Sequence, residues 1–257
     1  MKTVLTIAAS DPSGGAGIQA DLRAITAHGL YGMAVPTALT VQNTTGVTGV
    51  LVPEPEFLAR QLRAVLSDIR PDAVKIGAMP GLEHARATAE LLREFEITDI
   101  VFDPVLASTS GAALGTVEAI EALAPCVSLL TPNLPEAAKL LGRDPADLAG
   151  KDAIESAANE LAARFRTAVL LKGGHRTDGS FDDFFRPAEG AGEWFPTRTA
   201  PPCGNHGTGC LLSSSIACGL ASGLSMPESI RRAKERLSDA LARGLSLGHG
   251  NGPVDFR

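Results

Sequence analysis

Short apolar runs alternate along the chain with longer segments in which apolar residues recur at helical spacing. The short runs predict strands at 4–8, 34–41, 73–76, 100–102, 128–130 and 168–171. Several of these runs are apolar throughout, which is typical of strands that are covered on both faces. Because strands and helices alternate, the sequence predicts βαβ units around a mostly parallel sheet, and therefore an α/β fold.

The helical segments differ in where their apolar residues lie. Leu82, Ala85, Ala89 and Leu92 recur at helical spacing, as do apolar residues between 154 and 165, so both segments predict helices that cover the sheet. Residues 210–221 are apolar or small nearly all round and predict a buried helix. Residues 225–228 (SMPE) have the spacing of a capping box and predict the start of a final amphipathic helix.

The domain organisation follows from length and from the absence of linkers. At 257 residues the chain is long enough for a large core, and no repeat or low-complexity tract divides it. The stretch from 177 to 202 is irregular and rich in aromatic residues, which indicates β-hairpin material. We therefore expect one domain over residues 1–257.

Charge and cysteine content limit the classes of partner. The 23 basic and 29 acidic residues give a net charge of −6, which argues against binding to nucleic acid or to a membrane surface. No apolar run approaches the roughly 20 residues of a membrane helix. The four cysteines have neither metal-site spacing nor the density of a disulfide scaffold, so we expect a reduced, cytoplasmic protein.

A glycine-rich turn, residues 11–17 (DPSGGAG), follows the first predicted strand and precedes a helical run. Glycines there allow the backbone to approach a ligand closely and to present N–H groups to it. A tight strand-to-helix connection is the simpler interpretation, because the segment matches neither dinucleotide nor P-loop motifs. Asp21 lies in the following helix, where it either reaches back toward the turn or is solvated.

A second glycine turn, residues 205–210 (NHGTGC), directly precedes the predicted buried helix. Exposed amides at a helix N-terminus form an anion hole that suits a transferring phosphoryl group. Cys210 would lie in the first helical turn, where the helix dipole is expected to lower the pKa of its thiol. The alternative is a buried structural cysteine.

Polar residues follow three of the predicted strands. These are Asp103, the pair Asn133 and Glu136, and Lys172 with His175 close behind. In open α/β sheets ligands bind beyond the carboxyl ends of the strands, so these groups are expected to converge. A carboxylate, an Asn-x-x-Glu pair and a lysine are suited to a magnesium nucleotide, although each also has a structural interpretation as a turn, a helix cap or a surface cation.

In these segments the sequence closely resembles the hydroxymethylpyrimidine/phosphomethylpyrimidine kinases, which belong to the ribokinase-like superfamily. The resemblance covers almost the whole chain, in order. It is carried by residues 6–21, 37–43, 75–77, 103–105, 131–137, 172–175, 206–210 and 248–254. It implies a ribokinase-like three-layer α/β/α sandwich, usually dimeric. The implied activity is ATP- and magnesium-dependent phosphorylation of 4-amino-5-hydroxymethyl-2-methylpyrimidine and then of its monophosphate, in thiamine biosynthesis.

The resemblance also implies roles for particular residues. Gln42 and Asp21 would hydrogen-bond the aminopyrimidine, beside Ala9 and Val105 in the ring pocket. The nucleotide and metal groups would be Lys172, Asn133, Glu136 and Asp103, with Asp103 and Glu136 nearest to magnesium. The catalytic turn would be Gly207, Thr208 and Gly209, followed by Cys210 as a base or an oriented polar group.

The sequence departs from the family pattern in three places. Ala9 replaces a glycine beside the ring pocket, Ala78 replaces a methionine, and Gly204 with Asn205 replaces the usual pair before His206. The first two changes leave ring specificity open, so pyridoxal phosphorylation is the nearest alternative activity. A non-catalytic pyrimidine-binding protein is an alternative of a different class, and the retained nucleotide residues argue against it.

Overall fold

A computed structural model describes residues 1–108, 111–174, 181–197 and 206–256 of the chain. The strands are β1 (Thr3–Ser10), β2 (Tyr31–Asn43), β3 (Gly46–Leu51), β4 (Ala73–Ile76), β5 (Ile100–Phe102), β6 (Leu129–Leu130), β7 (Ala168–Leu171), β8 (Asp183–Arg186) and β9 (Glu193–Phe195). The helices are α1 (Gly17–Ala27), α2 (Pro55–Asp68), α3 (Leu82–Glu94), α4 (Val117–Leu123), α5 (Leu134–Leu141), α6 (Lys151–Phe165), α7 (Thr208–Ala221) and α8 (Met226–Arg243).

The strands form one sheet in the order β3-β2-β1-β4-β5-β6-β7-β8-β9. Strands β2, β1 and β4 to β7 run parallel, whereas β3, β8 and β9 pair antiparallel with their neighbours at the two edges. All residues of β4, β5, β6 and β7 are buried, as expected for strands that are covered by helices on both faces.

Two layers of helices cover the sheet. Apolar residues of α2 to α6 pack with one face of the strands, and apolar residues of α1, α7 and α8 pack with the other. Helix α7 is buried along almost its whole length, which agrees with its uniformly apolar or small sequence. The predicted three-layer α/β/α architecture is confirmed.

Differences from the sequence prediction lie mainly at the edges. Strands β1 and β2 are longer than predicted, and β3 was not predicted; it is interrupted by glycine and half exposed, and pairing with β2 holds it. Strands β8 and β9 form the predicted hairpin. Ser225 caps α8 by accepting a hydrogen bond from the Glu228 backbone N–H. None of the described helices is long and apolar enough to span a membrane.

Candidate active site

A cavity of about 700 Å³ lies at the carboxyl ends of the parallel strands. Its walls come from the ends of β1, β4, β5 and β7, from β2, and from the start of α7. Most of the site residues expected from the sequence line it: Ala9, Gln42, Asp103, Val105, Asn133, Glu136, Lys172, Gly207, Thr208, Gly209 and Cys210. The cavity is thus placed where open α/β sheets bind ligands.

One side of the cavity carries opposite charges. Lys172 Nζ donates to Asp103 Oδ1 over 2.6 Å, and both side chains are largely buried. Burial opposes the charge of Lys172, but Asp103 and Glu136 outweigh it and raise the pKa of the ammonium. Lys172 therefore stays a cation at neutral pH, with its charge at the cavity wall.

Asn133 and Glu136 combine a structural role with a place in the cavity wall. Asn133 Oδ1 accepts from the Glu136 backbone N–H, and Glu136 Oε2 accepts from the Asn133 backbone N–H, both over 2.8 Å. This capping box starts α5, as the structural interpretation of the sequence expected. Burial raises the pKa of Glu136 to about 7, with Lys172 lowering it and Asp103 raising it.

The turn 207–210, called here the phosphate turn, presents free amides to the same cavity. Gly207 has a φ of 88°, a left-handed conformation that favours glycine, and α7 begins at the next residue. Leu211 N–H bonds back to the Gly207 carbonyl, so the amides before it have no partner within the helix. A Cβ on Gly209 would lie 3.0 Å from Asp103 Oδ2. The glycine therefore lets the turn approach the charged pair.

Cys210 is half-buried at the start of α7, and its protonation differs from the sequence expectation. Burial raises the pKa of its thiol to about 11; Lys75 lowers it, and Asp21 and Asp103 raise it further. The expected lowering by the helix dipole was wrong, because desolvation outweighs the dipole at this position. The group at the head of α7 is a thiol at neutral pH.

Asp21 lies beneath the cavity and does not line it. Its carboxylate is bound by Lys75 Nζ over 2.8 and 2.9 Å, by Thr6 Oγ1 over 2.6 Å and by Ser214 Oγ over 2.8 Å. The whole residue is buried, so its oxygens are occupied and shielded from a ligand. This corrects the direct contact with the aminopyrimidine that the resemblance implied.

The other side of the cavity is apolar. Ala9, Ala38 and Ala78 form a small buried cluster against which Val105 and Leu114 pack, and we call this group the ring pocket. Gln42 projects from β2 into the same cavity, beside His206. This part of the wall therefore combines an apolar surface with one side-chain amide.

Sequence reasoning gave no role to His206 or Lys75. Both line the cavity, and their partners Asp11 and Asp21 are 195 and 54 residues away along the chain. For His206, the only local indication of a role in the sequence is the glycine turn that follows it. Four residues that the sequence analysis considered lie outside the described residues: His175, Cys203, Gly204 and Asn205. Cys126 and Cys218 are free thiols and do not line the cavity.

Comparison with known proteins finds matches over nearly the whole chain. A family model described as phosphomethylpyrimidine kinase matches residues 11–255. The hydroxymethylpyrimidine/phosphomethylpyrimidine kinase of Escherichia coli is 43% identical over 256 residues, covering 97% of this chain and 95% of that protein. Longer thiamine biosynthesis proteins contain the matching region as 34% and 52% of their length.

Solved structures show the same fold. The phosphomethylpyrimidine kinase from Clostridium difficile 630 matches with a TM-score of 0.81 and 36% identity over 94% of this chain and 100% of that chain. The pyridoxal kinase from Staphylococcus aureus, in complex with AMP-PCP and pyridoxal, matches with a TM-score of 0.88 and 30% identity over 100% and 93%. These matches confirm the ribokinase-like fold class. The chain belongs to the phosphomethylpyrimidine kinase family.

Proposed function

We propose that this protein uses ATP to phosphorylate the hydroxymethyl group of 4-amino-5-hydroxymethyl-2-methylpyrimidine, and then phosphorylates that monophosphate to the pyrophosphate. The names of its relatives support both steps. One observation carries the proposal: the Lys172–Asp103 pair and the phosphate turn face one cavity that also contains a small apolar ring pocket. A protein that only binds a pyrimidine would need neither the Lys172–Asp103 pair nor the phosphate turn.

The phosphate turn and Lys172 supply the electrostatic part of the reaction. In phosphoryl transfer, negative charge spreads over the oxygens of the moving group while the attacking oxygen bonds to phosphorus and the leaving oxygen departs. Free amides at the head of α7 and the ammonium of Lys172 stabilise that charge from fixed positions. Positioning and charge stabilisation together account for most of the catalysis.

Cys210 orients the attacking hydroxyl. Because the pKa of its thiol is about 11, the sulfur carries its proton at neutral pH and accepts a hydrogen bond from the substrate. In a loose transition state the hydroxyl proton leaves late, so a fully ionised base is not required. We expect Cys210→Ala to lower kcat about 10- to 100-fold, because the amides of the turn remain. Cys210→Ala with the kcat of the wild type would leave only the amides as catalyst.

The carboxylates of Asp103 and Glu136 fit a magnesium nucleotide. Mg²⁺ usually takes one or two carboxylates together with water and substrate phosphates, and both side chains face the cavity. When bound, the ion would neutralise charge on the nucleotide phosphates. Among the described residues no group of three metal-ligating side chains is assembled, so the phosphates must supply part of the coordination.

Pyridoxal phosphorylation is the second candidate activity. The similar fold of a pyridoxal kinase that was solved with pyridoxal supports it, and Ala78 leaves the ring pocket without the methionine of the usual family pattern. Gln42 favours the pyrimidine, because an amide pairs well with an amino group beside a ring nitrogen.

The proposed homodimer has a candidate surface on the edge of the sheet. Leu39 and Leu51 are paired in register across β2 and β3, and both are exposed. Val41, Val52 and Phe57 nearby are also exposed. An apolar edge of this kind is covered in many oligomers, so we expect Leu51→Arg to shift the protein toward monomer in a sizing measurement. The cytoplasmic location stays a prediction.

The experiment that tests the function is magnesium-dependent ADP release from ATP by the purified protein. It is run in parallel with hydroxymethylpyrimidine, its monophosphate and pyridoxal, and Lys172→Met serves as the control variant. Turnover with both pyrimidines supports the proposal. Turnover with pyridoxal alone favours the second activity. Binding of the pyrimidine without any turnover favours a non-catalytic pyrimidine-binding protein.

A further inference from the structure

Three side chains outside the phosphate machinery form a chain across the cavity. His206 Nε2 lies 3.0 Å from Asp11 Oδ2 and 3.3 Å from Gln42 Nε2. His206 and Asp11 are buried, and a Cβ on Gly15 would lie 2.4 Å from the His206 ring. The ring is therefore held in place between the glycine turn 11–17 and the phosphate turn.

The charge of Asp11 decides where the imidazole carries hydrogen. Asp11 accepts hydrogen bonds from the Ser13 backbone and hydroxyl and from the Ala16 backbone, at 2.7 to 2.9 Å. Burial would raise the pKa of Asp11, but the bonds from His206, Ser13 and Ala16 outweigh it and lower the pKa. An ionised carboxylate can only accept, so His206 Nε2 must carry a hydrogen that points to Asp11.

That hydrogen constrains the amide of Gln42. His206 Nε2 has no lone pair left for an N–H of Gln42. At the other end Gln42 Oε1 lies 3.1 Å from Thr40 Oγ1, whose single hydrogen is donated to the Ser10 carbonyl over 2.8 Å. A half-turn of the amide removes both conflicts, because Oε1 then shares the single hydrogen of His206 Nε2 with Asp11 in a three-centre bond and Nε2 donates to Thr40.

The half-turn places an acceptor on the His206 side of Gln42, next to the phosphate turn. In the proposed pyrimidine substrate the amino group is on the ring carbon beside the one that bears the hydroxymethyl group, followed by a ring nitrogen. With the hydroxymethyl group at the phosphate turn, the amino N–H meets Oε1 and the ring nitrogen meets Nε2. Pyridoxal has an aldehyde in place of the amino group, and its oxygen would face Oε1 as a second acceptor.

We propose that Asp11 and His206 are positioning residues that fix the orientation of the Gln42 amide, and thereby select an amino group over a carbonyl beside the reacting hydroxymethyl group. This rests on the proposed kinase function and names the groups behind its specificity. The selection works through Gln42, since the carboxylate of Asp11 is already occupied by the protein.

The test compares kcat/KM for hydroxymethylpyrimidine with kcat/KM for pyridoxal in wild type and Asp11→Asn. Asparagine removes the negative charge that keeps the hydrogen on His206 Nε2, so the imidazole is free to change tautomer and the Gln42 amide is free to reverse. We expect the selectivity ratio to fall about tenfold, the equivalent of one hydrogen bond, through a higher KM for the pyrimidine. Ser13→Ala removes one bond to Asp11 but keeps its charge, and it should keep the ratio of the wild type.

A second readout needs no activity. Long-range ¹H–¹⁵N spectra, assigned by comparison with His206→Gln, should show Nε2 protonated in the wild type and a larger fraction of unprotonated Nε2 in Asp11→Asn. Unprotonated Nε2 in the wild type overturns the proposal. So does pyrimidine turnover with an unchanged ratio in Asp11→Asn, or an equal loss of kcat for both substrates. Wild-type protein that turns over neither substrate overturns the kinase function itself, and the selectivity with it.

Discussion

Two lysine–aspartate pairs lie at the same cavity, and they differ in their access to solvent. Lys75 on β4 is bound to Asp21 of α1, and the side chains are 1% and 0% exposed. Lys172, just after β7, is bound to Asp103, and these side chains are 14% and 3% exposed. The chemistry of the two pairs is the same, so the contrast isolates the effect of closure.

The difference in solvent exposure separates a pair that stabilises the fold from a pair that is able to bind a ligand. The oxygens of Asp21 are also bound by Thr6 and Ser214, so this pair ties together β1, α1, β4 and α7, and both oxygens of its carboxylate are occupied by the protein. Among the residues that the structure describes, Lys172 Nζ donates only to Asp103, which leaves N–H groups for a phosphate. A buried pair with an open side is therefore able to bind a ligand, whereas a closed pair stabilises the fold beneath it.

The largest expected effect comes from breaking the closed pair. Lys75→Met leaves the Asp21 carboxylate buried without its counter-charge, and we expect the free energy of unfolding to fall by about 3–5 kcal/mol. The measurement is chemical denaturation followed by circular dichroism. The double variant Lys75→Met/Asp21→Leu removes both charges and should recover most of that loss. If the double variant is as unstable as the single one, packing rather than charge accounts for the effect.

Breaking the open pair should affect catalysis more than stability. In the proposed function Lys172 faces the transferring group, so Lys172→Met is expected to lower kcat/KM for ATP about 10²- to 10³-fold. The free energy of unfolding should fall by less than in Lys75→Met, because the Lys172 side chain is 14% exposed and Asp103 lines the cavity, whereas Asp21 does not line it. Lys2→Met, which breaks an exposed pair with Asp72, is the matched control and should keep full activity. A stability loss as large as that of Lys75→Met would contradict the comparison.

Glu136 tests the electrostatics beside the open pair. Its pKa is raised from 4.5 to about 7, chiefly by burial. Between these values the unfolded chain releases the proton while the folded protein keeps it. Stability should therefore fall as the pH rises from about 4.5 to 7, by about 1–3 kcal/mol, and then level off. Glu136→Gln keeps the capping oxygen without the charge, so its free energy of unfolding should not fall over this pH range. If the free energy of unfolding changes with pH in the same way in both proteins, the pKa of Glu136 is not raised.

The parts of the molecule that sequence predicts well are those determined by neighbours along the chain. Apolar runs placed β4, β5 and β7 at their observed bounds, and the spacing of Asn133 and Glu136 gave the capping box. Strand β3 was missed because exposed, glycine-containing segments lack an alternating pattern, and only pairing with β2 makes it a strand.

The parts that sequence does not predict depend on burial and on distant partners. The thiol of Cys210 has a helix N-terminus in its local sequence, but its desolvation comes from the surrounding fold. Asp21 and Lys75 are far apart along the chain, and nothing in either segment indicates the pair. Asp103 and Lys172 were predicted because each directly follows a predicted strand. Asp21 lies within a helix and Lys75 within a strand, so this signal does not identify the closed pair.

The smallest expected effect belongs to a pair on the exposed surface. Arg63 on α2 and Glu94 on α3 make two hydrogen bonds, and their side chains are 55% and 49% exposed. Water screens this pair, and fixing two long side chains opposes it. Glu94→Gln keeps Arg63 over the Phe95 ring, so the denaturation midpoint should stay at the wild-type value at low and at high salt. A clear drop at low salt would show that paired geometry, and not closure, decides what these ion pairs contribute, and the contrast between Lys75 and Lys172 would then need a different cause.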